Sequence, residues 1–526
     1  MSFIKSIRLK NLRSLKDTGD IEIKPITILV GKNSVGKSTF ARTFPLIRQS
    51  CAEEKRAPIL WYGKLVDFGD FKTSLNRSSL EQYIEFSFQV DTRQIISRLS
   101  RFNRLIKDIE TKDPIYLTLR LEENNNHTYA SYLKVSIFDQ NFEMNITKDK
   151  KVESIEMNGF CWDKQFFREN HINIRLSQRD ILPVFHFYSV RDKSILSSLN
   201  DDIFETMLFN EIKDLCKNKS IKNETIFRIM RNIPIGSSEE IYNYLLNDTK
   251  LISLQKIIKN TSVNSPIIKK ISSLFYISRL DEIIYYLDTG LSSYFGDTHY
   301  LEPLRASAQR YYRRQELAVD EIDSKGSNIA MFVDSLGEDE LKSLKGMMSE
   351  HFGIEVEPKR DEGHIALTLR HIGGNTSDKT NLADLGVGYS QILPFLIQLW
   401  AATNRKNISN KKRNPLGGRR IGNGRIGKCF VVEQPELHLH PAYQAKISDV
   451  INSVISKSLN SLSVILETHS PHLIYRFGEL IEEGMLDPKN IQVLIFDEKE
   501  GYSEVQTAYF DEEGMLKNWP VGFFQP

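Results

Sequence analysis

The chain has 526 residues, 40% apolar and 26% charged, enough to bury more than one hydrophobic core. Its 70 Lys and Arg nearly balance 68 Asp and Glu, so net charge argues for no polyanionic partner and only local clusters can. The four cysteines, Cys51, Cys161, Cys216 and Cys429, form no C-x-x-C pair, which excludes a zinc ribbon and predicts a reduced, cytoplasmic protein. The run 392–402 is too short for a bilayer and contains Gln398, so no membrane partner is expected.

Residues 3–10, FIKSIRLK, alternate apolar and polar positions as a half-buried strand does, and they begin with no secretory h-region. IEIK at 21–24 predicts a second strand, with Arg13 in the turn NLRSL between them. The apolar run 26–30 predicts a buried strand, followed by GKNSVGKST at 31–39 and a helix-forming stretch, STFARTFPLIRQS. This strand, loop and helix fit the phosphate-loop pattern G-x-x-x-x-G-K-S/T. Glycines let such a loop wrap a phosphate chain, amide N–H groups point inward, and the helix adds the positive end of its dipole. Asn33, Ser34, Gly36, Lys37, Ser38 and Thr39 are therefore candidate ATP contacts, with Lys37 reaching the β and γ phosphates and Ser38 ligating Mg²⁺.

The β-branched and aromatic segments YIEFSFQV, IYLTLRLEE, YASYLKVSIF and FEMNI then predict an added antiparallel sheet. From about 195 to 297 the apolar spacing changes to three and four, which predicts a compact helical insertion; no heptad pattern persists long enough for a coiled coil. The implied division is 1–190, 191–297 and 298–526. Residues 300–315, YLEPLRASAQRYYRRQ, set arginines beside aromatics, a pattern that suits either nucleic-acid contact or structural ion pairs. GIEVEP and HIALTLRHI predict a hairpin, and 392–402 a buried helix. Residues 403–428 carry nine Lys or Arg and no acid, either a solvated linker or a contact to a phosphate backbone. CFVVEQPELHLHP and SVILETHSPHLI are apolar strands, each ending in polar residues. His438 and His440 have the H-x-H spacing of a zinc chelate but lie in a loop, and Asp497, Glu498 and Asp511 fall at turns, so no nuclease centre is expected there.

The NLRS turn between two strands, followed by TILVGKNSVGKST, resembles the ATP-binding head of the SMC, RecF and OLD-type branch of the ABC ATPases. The fold class this implies is α/β: an ABC-ATPase head of the P-loop NTPase class, with an antiparallel β-subdomain and a helical insertion. By that resemblance Arg13 lies near the phosphates. The run DLGVGYSQ at 384–391 is similar to the signature that meets ATP held by a second subunit, through Gly386, Gly388 and Ser390. Glu433 takes the Walker B position that helps hold Mg²⁺, and His469 the position of a histidine that bonds the γ-phosphate. The next Walker B residue is normally a glutamate that deprotonates water, but here it is Gln434, which cannot accept a proton. Either hydrolysis is slow, or Glu436 or solvent substitutes, or the position was altered to hold the ATP state. The glutamine expected near 61–71 is also missing, with Asp67 a weak substitute.

Within this branch, EQPELHLHP and the compact insertion most resemble the PtuA-type ATPases of Septu and retron-associated antiphage systems. That resemblance implies a homodimer or higher even oligomer, a separately encoded HNH-type nuclease (PtuB-like), and a retron reverse transcriptase with its RNA/DNA as a further candidate partner. A RecF-like DNA-binding repair ATPase is the alternative, and an ABC transporter subunit is disfavoured by the NLRSL entry and the insertion.

Overall fold

The computed structural model describes residues 2–93, 113–189, 203–216, 221–315, 319–373, 379–404, 427–458, 462–499 and 502–520. Its centre is the strand Ile26–Gly31, buried at every position. On one side it pairs in parallel with Ile491–Lys499. On the other come Leu462–Glu467, Lys428–Glu433 and Thr298–Leu301, again parallel. Strands covered on both faces need no polar alternation, which is why ITILVG, LSVILE and KCFVVE read as nearly continuous apolar runs. Parallel register also brings the carboxyl ends together, so Gly31, Glu433 and Glu467 emerge on one edge, where open α/β sheets bind ligands.

The sheet does not stop there. Leu15–Asp17 pairs with Tyr502–Phe510 and, by a hairpin, with Ile4–Leu12, which continues antiparallel into Ile84–Val90 and Ile115–Asn124. His127–Ile137, Gln140–Ile146, Val152–Met157 and Phe160–Asp163 follow, giving sixteen strands in one sheet among the described residues. The last two lie beyond the four segments expected from sequence, as does the separate hairpin Ile172–Ser177 with Val184–Ser189. The expected hairpin near 353–372 forms as Ile354–Asp361 with His364–His371.

Alternate residues of each parallel strand face two different cores. Ile26, Ile28 and Val30 join Phe430, Val432, Val464 and Leu466 under the helices Val387–Asn404, Pro441–Lys457 and Pro471–Glu482. Leu29, Val431 and Ile465 face the helices Lys37–Ala52 and Leu280–Gly296. These two helices meet through Phe44 and Phe295, whose ring centroids are 5.9 Å apart. The helical insertion, described from Ile203 onward, belongs to this second core: Phe204 packs edge-on against Trp162 of the antiparallel strands at 5.3 Å. The insertion and the β-extension thus bury one continuous apolar surface, and the expected boundary at 191 lies outside the described residues.

Candidate functional site

Two glycines make the loop after Ile26–Gly31 possible. Gly31 has φ 144° and Gly36 φ 101°, and a Cβ at either would come within 2.1 Å of the Phe496 carbonyl oxygen or 2.6 Å of Leu15 Cδ2. Asn33 and Ser34 are exposed at the crest, Ser34 itself with φ 67°. Lys37 opens the helix and is 3% exposed; its ammonium donates to the Gly31 and Lys32 carbonyls at 2.9 and 2.6 Å. Burial lowers its pKa, opposed by the negative charge of Glu467. Thr39 is buried in the helix's first turn.

Glu433 and Glu467 end neighbouring strands directly opposite one another, yet their partners differ. Glu433, 1% exposed, accepts Arg42 Nε and Nη2 at 2.7 and 2.8 Å and the Tyr300 hydroxyl at 2.6 Å. Ser38 Oγ instead donates to both oxygens of Glu467, at 3.1 and 2.9 Å. Ser38 therefore meets Glu467, while Arg42, four residues along the same helix face, takes the Glu433 carboxylate. Burial, then the charge of Glu433, pushes Glu467 up to about 7 against Ser38, Lys37 and Arg42. Glu467 and Arg42 were missed in the sequence reading; the acid closing SVILE was the signal that could have found the first.

Gln434 has φ 45° and donates its N–H to the Glu467 carbonyl at 2.8 Å. Glu436 is 7% exposed and accepts the His469 N–H at 2.7 Å; burial raises its pKa. The His469 side chain is exposed, and burial of part of the ring together with the positive charge of Lys37 lowers its pKa. Arg13, with φ 51°, stacks its guanidinium 4.1 Å from the Phe68 ring centroid and donates to the Asp67 carbonyl at 3.1 Å. Burial and then the cation of Arg42 lower its pKa, so both arginines address the same region. Asp67 turns its carboxylate to its own loop, on the Gly69 N–H at 2.7 Å; the loop is held from beneath by buried Gln49, which donates to Leu60 O and accepts from Val66 N.

The basic stretch 300–315 divides: Arg305 is buried, while Arg310, Tyr311, Arg313 and Arg314 are exposed. Arg305 is 5% exposed, donates Nη2 to the Glu433 carbonyl at 3.0 Å, and is gripped through its backbone by Gln391. Arg310 pairs with Asp384, and Arg314 lies 3.9 Å from Asp334. Of the segment's arginines, Arg305 has a structural role, supporting the end of the strand Lys428–Glu433, and Arg310 and Arg314 lie beside acids while staying exposed. The other candidate contact, 403–428, falls almost wholly on residues 405–426, outside the described residues.

In the signature-like turn, Gly386 and Val387 are exposed, Val387 by 58%. Gly388 allows close packing on the loop after Glu433: a Cβ there would lie 2.9 Å from the His438 carbonyl oxygen. The Ser390 hydroxyl is buried and donates to the Val387 carbonyl at 2.8 Å, so the turn presents Gly386 and Val387 to solvent in place of Ser390. Among the described residues, no hydrogen bond joins this turn to the phosphate loop of the same chain. His440 caps the helix Pro441–Lys457, its Nδ1 accepting the Ala442 N–H at 3.3 Å.

A glycine cradle that a Cβ would fill, a lysine in it, and hydroxyl and carboxylate oxygens at its rim fit a nucleotide phosphate chain with a hard divalent cation. Residues 3–474 match the AAA_15 family, described as AAA ATPase domain. The chain belongs to this family. No curated protein matches it. Among solved structures, this AAA ATPase-domain protein is similar to the Smc head domain of Pyrococcus furiosus bound to the C-terminal domain of ScpA, with TM-score 0.36, 10% identity and 96% of each chain covered. It is also similar to the Smc head with coiled coil and joint from Pyrococcus yayanosii (0.35, 11%, 98% of each chain) and to the SMC head domain of Thermotoga maritima (0.33, 9%, 96% of this chain and 98% of that one). At these scores the likeness carries no further argument; the P-loop NTPase fold rests on the strand order and the loop themselves. No helix among the described residues is long and apolar enough to cross a membrane.

Proposed function

We propose that this ATPase-domain protein binds ATP with Mg²⁺ at the strand-edge site, hydrolyses it slowly, and pairs head to head around it. One observation carries the reading: Lys37, Ser38, Glu433, Glu467, Gln434 and His469 all emerge on the same sheet edge. Lys37 and the loop amides would hold the phosphates, Ser38 would face the cation, and Mg²⁺, when bound, would neutralise phosphate charge. Gln434 can orient a water but cannot take its proton, and Glu436, buried against the His469 backbone, is the carboxylate that would substitute. The exposed Gly386 and Val387 turn supports pairing, since it is free to meet nucleotide on a second copy. The resemblance to PtuA-type ATPases extends the proposal: the paired protein regulates or scaffolds a separately encoded HNH-type nuclease in antiphage defence.

The test is ATP turnover and assembly mass, measured with and without ATP and Mg²⁺. A larger assembly with ATP and slow turnover supports the proposal, whereas absence of ATP binding overturns it. For the nuclease role, co-expression with an HNH-type nuclease should yield a complex whose DNA cleavage changes with ATP; no complex would remove that part alone.

A further inference from the structure

The two buried glutamates at the strand tips are not equivalent, and the difference assigns a role to one that the Walker pattern does not. Glu433, at the Walker B position, has its carboxylate engaged by three donors: two from Arg42 and one from Tyr300. Its backbone carbonyl is taken by Arg305. Two of these partners are buried or nearly so, Tyr300 at 4% and Arg305 at 5% exposure, and the Arg42 side chain is 34% exposed. Freeing the Glu433 carboxylate would leave a half-buried guanidinium, that of Arg42, and a buried phenol without their acceptor, so it is built as a structural anchor that ties the first helix to the strand Lys428–Glu433.

Glu467 is different. Both of its oxygens lie on the hydroxyl of Ser38, the residue whose position in the phosphate loop serves the cation. Its own strand, Leu462–Glu467, lies between the phosphate-loop strand and the Walker B strand, which sets its carboxylate nearer the loop by one strand than that of Glu433. The Glu467 carbonyl also receives the Gln434 N–H, so the same residue that meets Ser38 fixes the backbone of Gln434.

We propose that Glu467, and not Glu433, is the carboxylate that serves the divalent cation accompanying the nucleotide, acting with the hydroxyl of Ser38. This rests on the proposed ATP site. A carboxylate beside a hydroxyl is a hard oxygen donor set of the kind Mg²⁺ takes, and Mg²⁺ commonly keeps waters between itself and such acids. Glu433 in this arrangement positions Arg42 and Tyr300.

The experiment measures ATP affinity of the full chain in EDTA and in MgCl₂, for the unaltered protein, Glu467→Gln and Glu433→Gln. Glu467→Gln should keep its affinity in EDTA and lose the strengthening by Mg²⁺, by ~10- to 100-fold, the scale of removing a group that orients a metal site. Glu433→Gln should keep the strengthening. The reverse pattern, with Glu467→Gln fully strengthened by Mg²⁺, overturns the proposal. Failure of the unaltered protein to bind ATP in either buffer would instead overturn the nucleotide site itself. Should Glu467→Gln also weaken binding in EDTA, Glu467→Cys decides: a thiolate prefers soft cations, so Cd²⁺ and not Mg²⁺ should strengthen its ATP binding. A misfolded variant could not produce that exchange of metals, and no gain with Cd²⁺ overturns the proposal.

Discussion

The carboxyl edge of the parallel sheet and the core beneath the helical insertion bury charge in opposite ways. At the edge, Lys37, Glu433, Glu436, Glu467 and Arg305 are each at most 7% exposed, at or just beyond the ends of four neighbouring strands. Beneath the insertion the surface is apolar over dozens of side chains, and the buried acid Asp288 accepts only N–H groups of the opposing loop, that of Leu182 at 2.9 Å. A concentration of buried charge lowers stability unless each group is compensated, so folds retain it where chemistry needs it. The insertion instead supplies apolar burial that keeps the first helix seated. In the proposed function the edge is the working region and the insertion its support.

The largest expected effect separates the two regions outright. Lys37→Ala should abolish ATP binding measured by calorimetry while leaving nucleotide-free thermal unfolding unchanged or slightly raised, since a desolvated ammonium is removed. Retained affinity would break the assignment of the edge as the working region. Next comes Gln434→Glu, which should raise ATP turnover by about 10²- to 10⁴-fold if the missing proton acceptor limits it; unchanged turnover would shift the role to Glu436 or to a step other than chemistry. Arg42→Ala leaves the Glu433 carboxylate buried with Tyr300 alone and should cost about 3 kcal/mol in denaturant unfolding, the low end for breaking a buried pair, because the Arg42 side chain is 34% exposed. A cost near zero would mean that the edge tolerates uncompensated charge.

The smallest effect belongs to the supporting core. Burial raises Asp288 from 3.8 to about 7, against the Leu182 N–H and the charge of Lys55. The folded state therefore holds this proton more tightly than the unfolded chain, so its contribution to stability falls as pH rises from 3.8 to about 7 and is flat above. Asp288→Asn, which still accepts the Leu182 N–H, should flatten that part of the stability profile and leave ATP affinity unchanged. A profile identical to that of the unaltered protein would show that Asp288 is not held protonated.

Much of this organisation was legible in the residues in order. Gly31 to Ser38 sit in a short segment whose strand, turn and helix signals are local, and so announce the loop without its surroundings. The hairpin near 353–372 and the buried helix holding Leu393 to Trp400 were equally local. Legibility fell where partners are distant. Tyr300 and Glu433 are 133 residues apart, Arg42 and Glu433 391, and Ser38 and Glu467 429. No periodicity relates such pairs, and only parallel strand register sets Glu433 beside Glu467.

Composition, spacing and turn chemistry by themselves determined that the chain forms an α/β phosphate-loop protein with a β-extension and a helical insertion, because each of these follows from patterns a few residues long. The tertiary structure decided which acid faces Ser38, that Arg305 is an internal support, and that Gly388 and Ser390 pack inward while Gly386 and Val387 face out. Those outcomes depend on which side chains compete for the same buried partner. That competition is settled by packing across the sheet, which a linear chain does not display.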